Sequence, residues 1–103
     1  MRWEQARRRP LILKCKQWWP KEEEFESNVP DEFGVIQGEV IEGIFSPGCG
    51  TCGWIETLEG GHIVTAGDWI MIGVKGERWP VKPDIFEKSY ELLPAEDVKE
   101  IAL

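Results

Sequence analysis

Turn-forming residues recur at short intervals in the second half of the chain, and this spacing restricts the fold more than any other feature. The tripeptides EGG at 59–61, AGD at 66–68 and KGE at 75–77 separate apolar runs of four to six residues. Strands joined by connections this short pair in antiparallel fashion. The pattern therefore predicts an α+β chain that is mainly β, with a small antiparallel sheet curled into a roll or a partly open barrel.

The predicted strands alternate apolar and polar side chains. The clearest strand contains Ile70, Ile72 and Val74 on one face, which we assign to the core. Gly38 and Gly43 weaken the second strand and indicate bulges or bends. The strands predicted up to residue 82 are 11–18, 35–45, 54–58, 62–65, 69–74 and 78–82.

One or two short helices and a C-terminal helix are predicted beside these strands. Residues 21–28 contain three consecutive Glu and are predicted as a short, solvated helix. Asp84 and Glu87 have the spacing of a capping box, with Asp84 as the N-cap of a second helix. Residues 91–93 are predicted as an edge strand and 94–103 as the terminal helix.

The 103 residues are enough for one domain with a modest core. We divide it into a basic arm at 1–9, a core at 10–93 and a helical tail at 94–103. No apolar run approaches the roughly 18 residues of a membrane-spanning helix. Lys14 and Lys16 interrupt the run near the N-terminus, so we expect no signal peptide. The expected location is the cytoplasm, where the cysteines are reduced.

Charge is divided unevenly along the chain. Residues 1–21 carry seven basic side chains and one acidic side chain, a net charge of +6, whereas residues 22–103 carry five basic and 18 acidic ones, a net charge of −13. A field of this sign repels phosphate backbones and attracts basic proteins, including nucleases whose grooves are lined with Lys and Arg. We expect a basic protein partner and no direct nucleic acid binding. The alternative is that the acidic surface serves only solubility.

The cysteines allow one metal hypothesis. Cys49 and Cys52 form a C-x-x-C pair in a Gly-rich loop at 46–53, and Cys15 and His62 could complete a tetrahedral zinc site. The alternative is two free thiols in a loop and a buried Cys15. We favour this alternative and expect neither a metal nor another cofactor.

The sequence contains no catalytic signature. A single His leaves little scope for a nucleophile and base arrangement. The glycines at Gly73 and Gly76 join strands and do not open a phosphate-binding helix. Acidic pairs such as Asp68 and Glu77 are explained more simply as turn caps. We therefore expect a protein that is not an enzyme and has no catalytic residues.

Several segments together resemble a small phage and prophage protein family marked by a P-G-D-Y/W run. They are RPLILKCKQW at 9–18, WIETLEG at 54–60, GDWI at 67–70, GVKGE at 73–77 and WPVKPDIFE at 79–87. The chain differs in having Ala66 where the family has Pro, Trp79 where Tyr is common, its own C-x-x-C, and a tail after Leu93. The resemblance covers most of 9–93. It implies a virus-derived accessory protein in the host cytoplasm.

Charged and aromatic residues around the 75–77 turn have no structural explanation in the sequence, and they form the predicted binding edge. These residues are Lys75, Glu77, Arg78, Trp79 and Lys82. The leading hypothesis is a phage-encoded binding protein that antagonises a host immune protein, such as a nuclease or defence complex, through its acidic surface.

Two other functions fit the same residues. In the first, the protein is a sponge for a nucleotide signal: Trp18, Trp69 and Trp79 stack on a base while the basic residues of the edge bind phosphate. In the second, it is a virion or assembly component. A homo-oligomer is compatible with all three functions.

Overall fold

The computed structural model describes residues 3–5 and 12–94, and within these ranges the chain forms seven strands and one helix. In chain order they are β1 Lys14–Gln17, β2 Val35–Ile41, β3 Ile44–Pro47, β4 Cys52–Thr57, β5 Gly60–Thr65, β6 Trp69–Ile72, β7 Arg78–Val81 and α1 Pro83–Ser89. One sheet has the order β1-β6-β7 and the other β3-β2-β4-β5, with every pairing antiparallel. The predicted class, mainly β and antiparallel, is confirmed. Neither sheet closes into a barrel within the described residues.

The core lies where the two sheets face each other. Its buried side chains are Trp18, Val35, Ile55, Val64 and Ile70, with Phe33 packed at the margin. Burial of each large apolar side chain stabilises a fold by about 1.5–3 kcal/mol, so this cluster is the main source of stability. The core assignment of Ile70 is confirmed, but Ile72 is only half-buried.

The predicted strand at 69–74 is two residues too long. β6 ends at Ile72, and Val74 lies in the following loop with 53 % of its surface exposed. Its assignment to the core was therefore wrong. The first strand is also shorter than predicted, since β1 covers only four residues of the interval 11–18.

Helix α1 adds a stack of aromatic rings beside β6. The buried Phe86 lies parallel to Trp69, with 4.0 Å between ring centroids, and Tyr90 continues the stack 5.4 Å from Phe86. Trp69 is therefore held in a packed arrangement.

The helix begins earlier than the capping-box spacing predicts. Its N-cap is Lys82, which makes no side-chain cap hydrogen bond, and Pro83 follows at the start of the helix. Pro is favoured there because its fixed φ suits a helix and its missing N–H would have no partner in any case. Asp84 was therefore wrong as the N-cap. It lies in the first turn, where a negative charge favours the helix dipole.

The predicted strand at 35–45 is a hairpin. β2 and β3 are joined by Glu42 and Gly43, whose φ angles are 51° and 79°. Two consecutive residues of positive φ form the tight turn whose twist matches that of paired strands. The bend indicated at Gly43 is thus present, but as a full hairpin turn, which the sequence does not predict because Glu rarely adopts positive φ.

The predicted helix at 21–28 is an irregular segment. The buried side chain of Gln37 accepts a hydrogen bond from the Lys21 N–H at 2.8 Å and donates one to the Lys21 carbonyl at 3.0 Å. A carbonyl held in this way is diverted from the first turn of a helix. The helix prediction was wrong, and the contact from Gln37, 16 residues away, holds the first residue of the segment outside a helix.

The three turns that the sequence indicates are all present. β4 and β5 form a hairpin whose turn comes one residue earlier than predicted, because β5 already begins at Gly60. The Asp68 N–H donates to the Thr65 carbonyl at 3.0 Å, and the Gly76 N–H donates to the Gly73 carbonyl at 3.0 Å. The hairpin pattern that defined the fold class is thus confirmed.

The remaining predictions concern the end of the chain and the membrane. Residues 91–93 form no strand, so that prediction was wrong. The predicted helix at 94–103 lies outside the described residues except for Pro94, and the arm at 1–9 lies outside them except for residues 3–5. No helix in the described part of the chain has the length and apolarity to cross a bilayer.

Candidate binding groove

An open groove of about 410 Å³ lies between the β4–β5 turn and the start of β7. We refer to it as the β7 groove. It is lined by Thr57, Leu58, Glu59, His62, Glu77, Arg78, Trp79 and Pro80. Three of the five residues of the predicted binding edge, Glu77, Arg78 and Trp79, therefore lie together in one concave surface.

The carboxylate of Glu77 is held in position by the loop that precedes it. Its Oε2 accepts a hydrogen bond from the Lys75 N–H at 2.9 Å. The Gly73 N–H donates to the Glu77 carbonyl at 2.8 Å and closes the loop. A Cβ at residue 73 would collide with the Glu77 carboxylate, so a glycine is required for this close approach.

Arg78 connects β7 to the turn that precedes β2. Its Nη1 donates to the carbonyl oxygen of Glu32 at 3.3 Å, and its side chain lies over Gly34. The guanidinium is therefore partly engaged by backbone while it lines one side of the groove.

The opposite wall is fixed by a small hydrogen-bonded turn. The Thr57 hydroxyl donates to the Gly60 carbonyl at 2.8 Å and accepts from the Glu59 N–H at 3.1 Å. This arrangement holds the exposed Leu58 and Glu59 at the rim.

Among the described residues, β7 is an edge strand of its sheet, and Pro80 lies on its outer side. β7 pairs with β6 in antiparallel register, with Trp79 opposite Met71 and Pro80 opposite Ile70. In such a pairing, the backbone N–H and C=O groups of alternate β7 residues point away from β6. The loop closed by the Gly73 N–H bond places Pro80 at one of these outward positions. Because Pro lacks an N–H, the edge has a gap where an added strand would need a donor. This edge is therefore less suited to pairing with a further strand, and the groove is its candidate binding feature.

Lys82 lies at the other end of β7 and belongs to a polar cluster. Its Nζ is 2.9 Å from Oδ2 of Asp68 and 2.9 Å from the Thr65 hydroxyl. Asp68 is only 1 % exposed, and it also accepts hydrogen bonds from the Thr65 N–H at 2.8 Å and the Thr65 hydroxyl at 3.1 Å. Lys82 therefore neutralises a buried carboxylate. Lys75 is exposed at the loop and is not part of the groove lining.

The zinc candidates lie in different parts of the structure. Cys15 is on β1 of the three-stranded sheet, and Cys49 is exposed in the loop after β3. Cys52 pairs with Thr65 and His62 with Ile55, at separate positions along the β4–β5 hairpin. Among the residues of the described ranges, no three His, Cys, Asp or Glu side chains are grouped to hold a metal. Burial raises the pKa of the Cys15 thiol.

His62, Glu59 and Leu58 are groove residues that sequence reasoning did not assign to the binding edge. They lie about 20 positions before β7 and reach it only because β4 packs against β7 across the two sheets. Neither the turn at Leu58 and Glu59 nor the single His62 indicates in the sequence that this part of the chain contacts β7.

A second feature is an exposed acidic segment held at both ends, which we call the acidic loop (residues 21–31). Gln37 fixes Lys21 at one end. At the other, Oδ1 of Asp31 accepts hydrogen bonds from the N–H groups of Phe33 and Val35 at 2.9 and 3.0 Å, and Oδ2 accepts one from Trp18 Nε1 at 3.0 Å. The exposed carboxylates between these anchors belong to Glu22, Glu23, Glu24 and Glu26.

Comparisons of the chain with known protein families, with curated proteins and with solved structures gave no match. The resemblance to the phage family stays a prediction from the residues that carry it.

Proposed function

We propose that this chain is a non-enzymatic, phage-derived binding protein that acts in the host cytoplasm and antagonises a defence protein with a basic surface. The observation that carries the proposal is the acidic loop, which presents four exposed carboxylates between two hydrogen-bonded anchors. A loop that is already held at its ends loses less conformational entropy when it binds.

Few of the acidic side chains are paired with a basic side chain within the described residues. There, only Glu32 and Asp68 form ion pairs, with Lys16 at 3.5 Å and Lys82 at 2.9 Å. The other carboxylates contribute a negative field that accelerates encounter with a positively charged partner and weakens as salt is added.

Binding to purified host nucleases with basic surfaces, measured across a salt series, tests this function. From about 0.1 M to about 1 M salt the Debye length falls from about 10 Å to about 3 Å, so the affinity should fall steadily. The variant E22Q/E23Q/E24Q should bind about tenfold more weakly, mainly through slower association.

The matched control is D84N/E87Q/E91Q, which changes the net charge by the same amount at exposed positions in and just after α1. It should bind nearly as tightly as the unmodified protein. Equal losses in the two variants would show that net charge matters and the acidic loop does not. Absent or salt-insensitive binding to every basic candidate would contradict the proposed function.

The β7 groove supports a second candidate, the nucleotide sponge, because it contains an aromatic side chain, a guanidinium and an imidazole. Two of its proposed stacking residues are already packed, since Trp18 is 1 % exposed and Trp69 lies against Phe86. Trp79 and Arg78 would have to supply stacking and phosphate binding. A rise in melting temperature with cyclic nucleotides or ADP-ribose derivatives would favour this function.

A further inference from the structure

The side chains of the β7 groove match a cation better than a phosphate. Two carboxylates, Glu59 and Glu77, lie in the same lining as Trp79. Both would repel a phosphate group, whereas a cation would be attracted to both and to the face of the indole ring. Arg78 is the one fixed positive charge of the lining, and its Nη1 already donates to the Glu32 carbonyl.

We propose that the β7 groove receives an arginine side chain from the surface of a basic protein partner. This inference rests on the proposed function, because that function supplies a partner rich in Arg and Lys. Arginine fits better than lysine, since its planar guanidinium is weakly hydrated, stacks on aromatic rings and binds carboxylates through two parallel hydrogen bonds.

The groove is built before a ligand arrives. The Lys75 N–H fixes the carboxylate of Glu77, and the Thr57 hydroxyl fixes the turn that carries Glu59. Leu58 and Pro80 provide apolar walls for the aliphatic part of the arginine side chain. Because these groups need little rearrangement, a single inserted side chain can act as the anchor of a larger interface.

Titration with N-acetyl-arginine-N-methylamide, followed in amide and indole proton–nitrogen NMR spectra, tests the groove in isolation. The six tryptophan indoles give separate reporters. The signals of Trp79 and of Glu77 should shift and saturate at about 1–10 mM, as expected for one side chain. The citrulline analogue has the same shape without the charge, and it should produce no saturable shift.

Two variants and one control locate the binding. W79L should abolish the saturable shift, and E77Q should weaken binding at least threefold without loss of spectral dispersion. W19L is the matched control, because Trp19 is 61 % exposed and lies beside Gly67, at the other end of the sheet. It should bind the arginine probe like the unmodified protein, and if W79L does not fold, E77Q alone decides the result.

The inference is overturned if the citrulline analogue binds equally, if no signal shifts, or if adenosine monophosphate binds more tightly than the arginine probe. The last result would favour the nucleotide sponge. If a basic partner binds in a salt-dependent way and E77Q binds it as tightly as the unmodified protein, the groove inference fails while the proposed function stands. If the arginine probe binds but no basic partner does, the proposed function fails and the site remains.

Discussion

Charged residues lie at both ends of β7, but they are buried and hydrogen-bonded at one end and open to solvent in a groove at the other. At the Lys82 end, a cation and a carboxylate meet in a cluster where Asp68 is 1 % exposed and both of its oxygens accept hydrogen bonds. At the Arg78 end, charged and aromatic side chains line an open groove. Residue type alone therefore does not distinguish a structural cluster from a binding site. Burial and the number of satisfied hydrogen bonds do.

The largest expected effect follows from D68A at the buried end. The substitution removes the acceptor of the Thr65 N–H and of the Thr65 hydroxyl, and it leaves the Lys82 ammonium with only the Thr65 hydroxyl as a partner. We expect the free energy of unfolding to fall by about 2–4 kcal/mol, measured by urea denaturation. The remaining folded protein should still bind the arginine probe. A loss below about 1 kcal/mol would mean that the cluster is not the structural end of β7.

A smaller effect is expected from K82M, which removes the charge and keeps the aliphatic stem. Asp68 retains its two hydrogen bonds from Thr65, and the Lys82 side chain is 51 % exposed, so solvent screens the ion pair. The loss should be about 1 kcal/mol, because the buried Asp68 loses its cation while solvent screens the half-exposed partner. K88M removes an exposed lysine in the last turn of α1 and should change stability by less than about 0.5 kcal/mol. Equal effects of K82M and K88M would contradict the role given to Lys82.

The substitution G73A should separate stability from binding at the other end. The added Cβ displaces only the end of the flexible Glu77 side chain, and alanine restricts the unfolded chain more than glycine does. Stability should therefore change by less than about 1 kcal/mol, whereas binding of the arginine probe should weaken as in E77Q. Unchanged binding would show that the position of the Glu77 carboxylate is unimportant.

The smallest effect concerns Cys15, whose neighbour across the sheet, Met71, pairs in turn with Trp79. Because burial raises the pKa of its thiol, Cys15 should react with iodoacetamide more slowly than the exposed Cys49 at pH 8. The stability gained from burying the neutral thiol is complete below the ordinary thiol pKa and is lost as the pH rises through the raised value. Peptide mass spectrometry across pH 7–10 measures both rates, and C15S identifies the slow site. Equal rates at pH 8 would show that the middle of this sheet opens readily.

The sequence predicted those parts of the fold that depend on neighbouring residues. Alternating apolar residues and nearby turns located β6, β7 and the β4–β5 hairpin. The helix predicted at 21–28 is absent, and the contact that holds its first residue comes from Gln37 on β2, which the neighbouring residues do not indicate. The hairpin turn between β2 and β3 was not predicted, because Glu42 adopts a positive φ that its residue type does not indicate.

The same limit applies to the binding edge: only the part formed by neighbouring residues was predictable. Glu77, Arg78 and Trp79 follow one another in the chain, so their proximity needed no knowledge of the fold. Lys82 follows closely as well, yet its contact with Asp68 places it in the buried cluster. His62 and Glu59 were missed because only the packing of one sheet against the other brings them to the groove.

Because the acidic loop is anchored at both ends, the stability of the fold depends little on the residues between the anchors. Gln37 binds the backbone of Lys21, whatever side chain residue 21 carries, and Asp31 is held by Trp18 and by backbone N–H groups. Each doubling of a flexible loop adds only about 0.6 kcal/mol of closure cost. The exposed residues 22–24 and 26–30 can therefore change while the sheets stay intact, whereas the half-buried Phe25 should be kept, and this makes the loop a natural place to graft new recognition sequences.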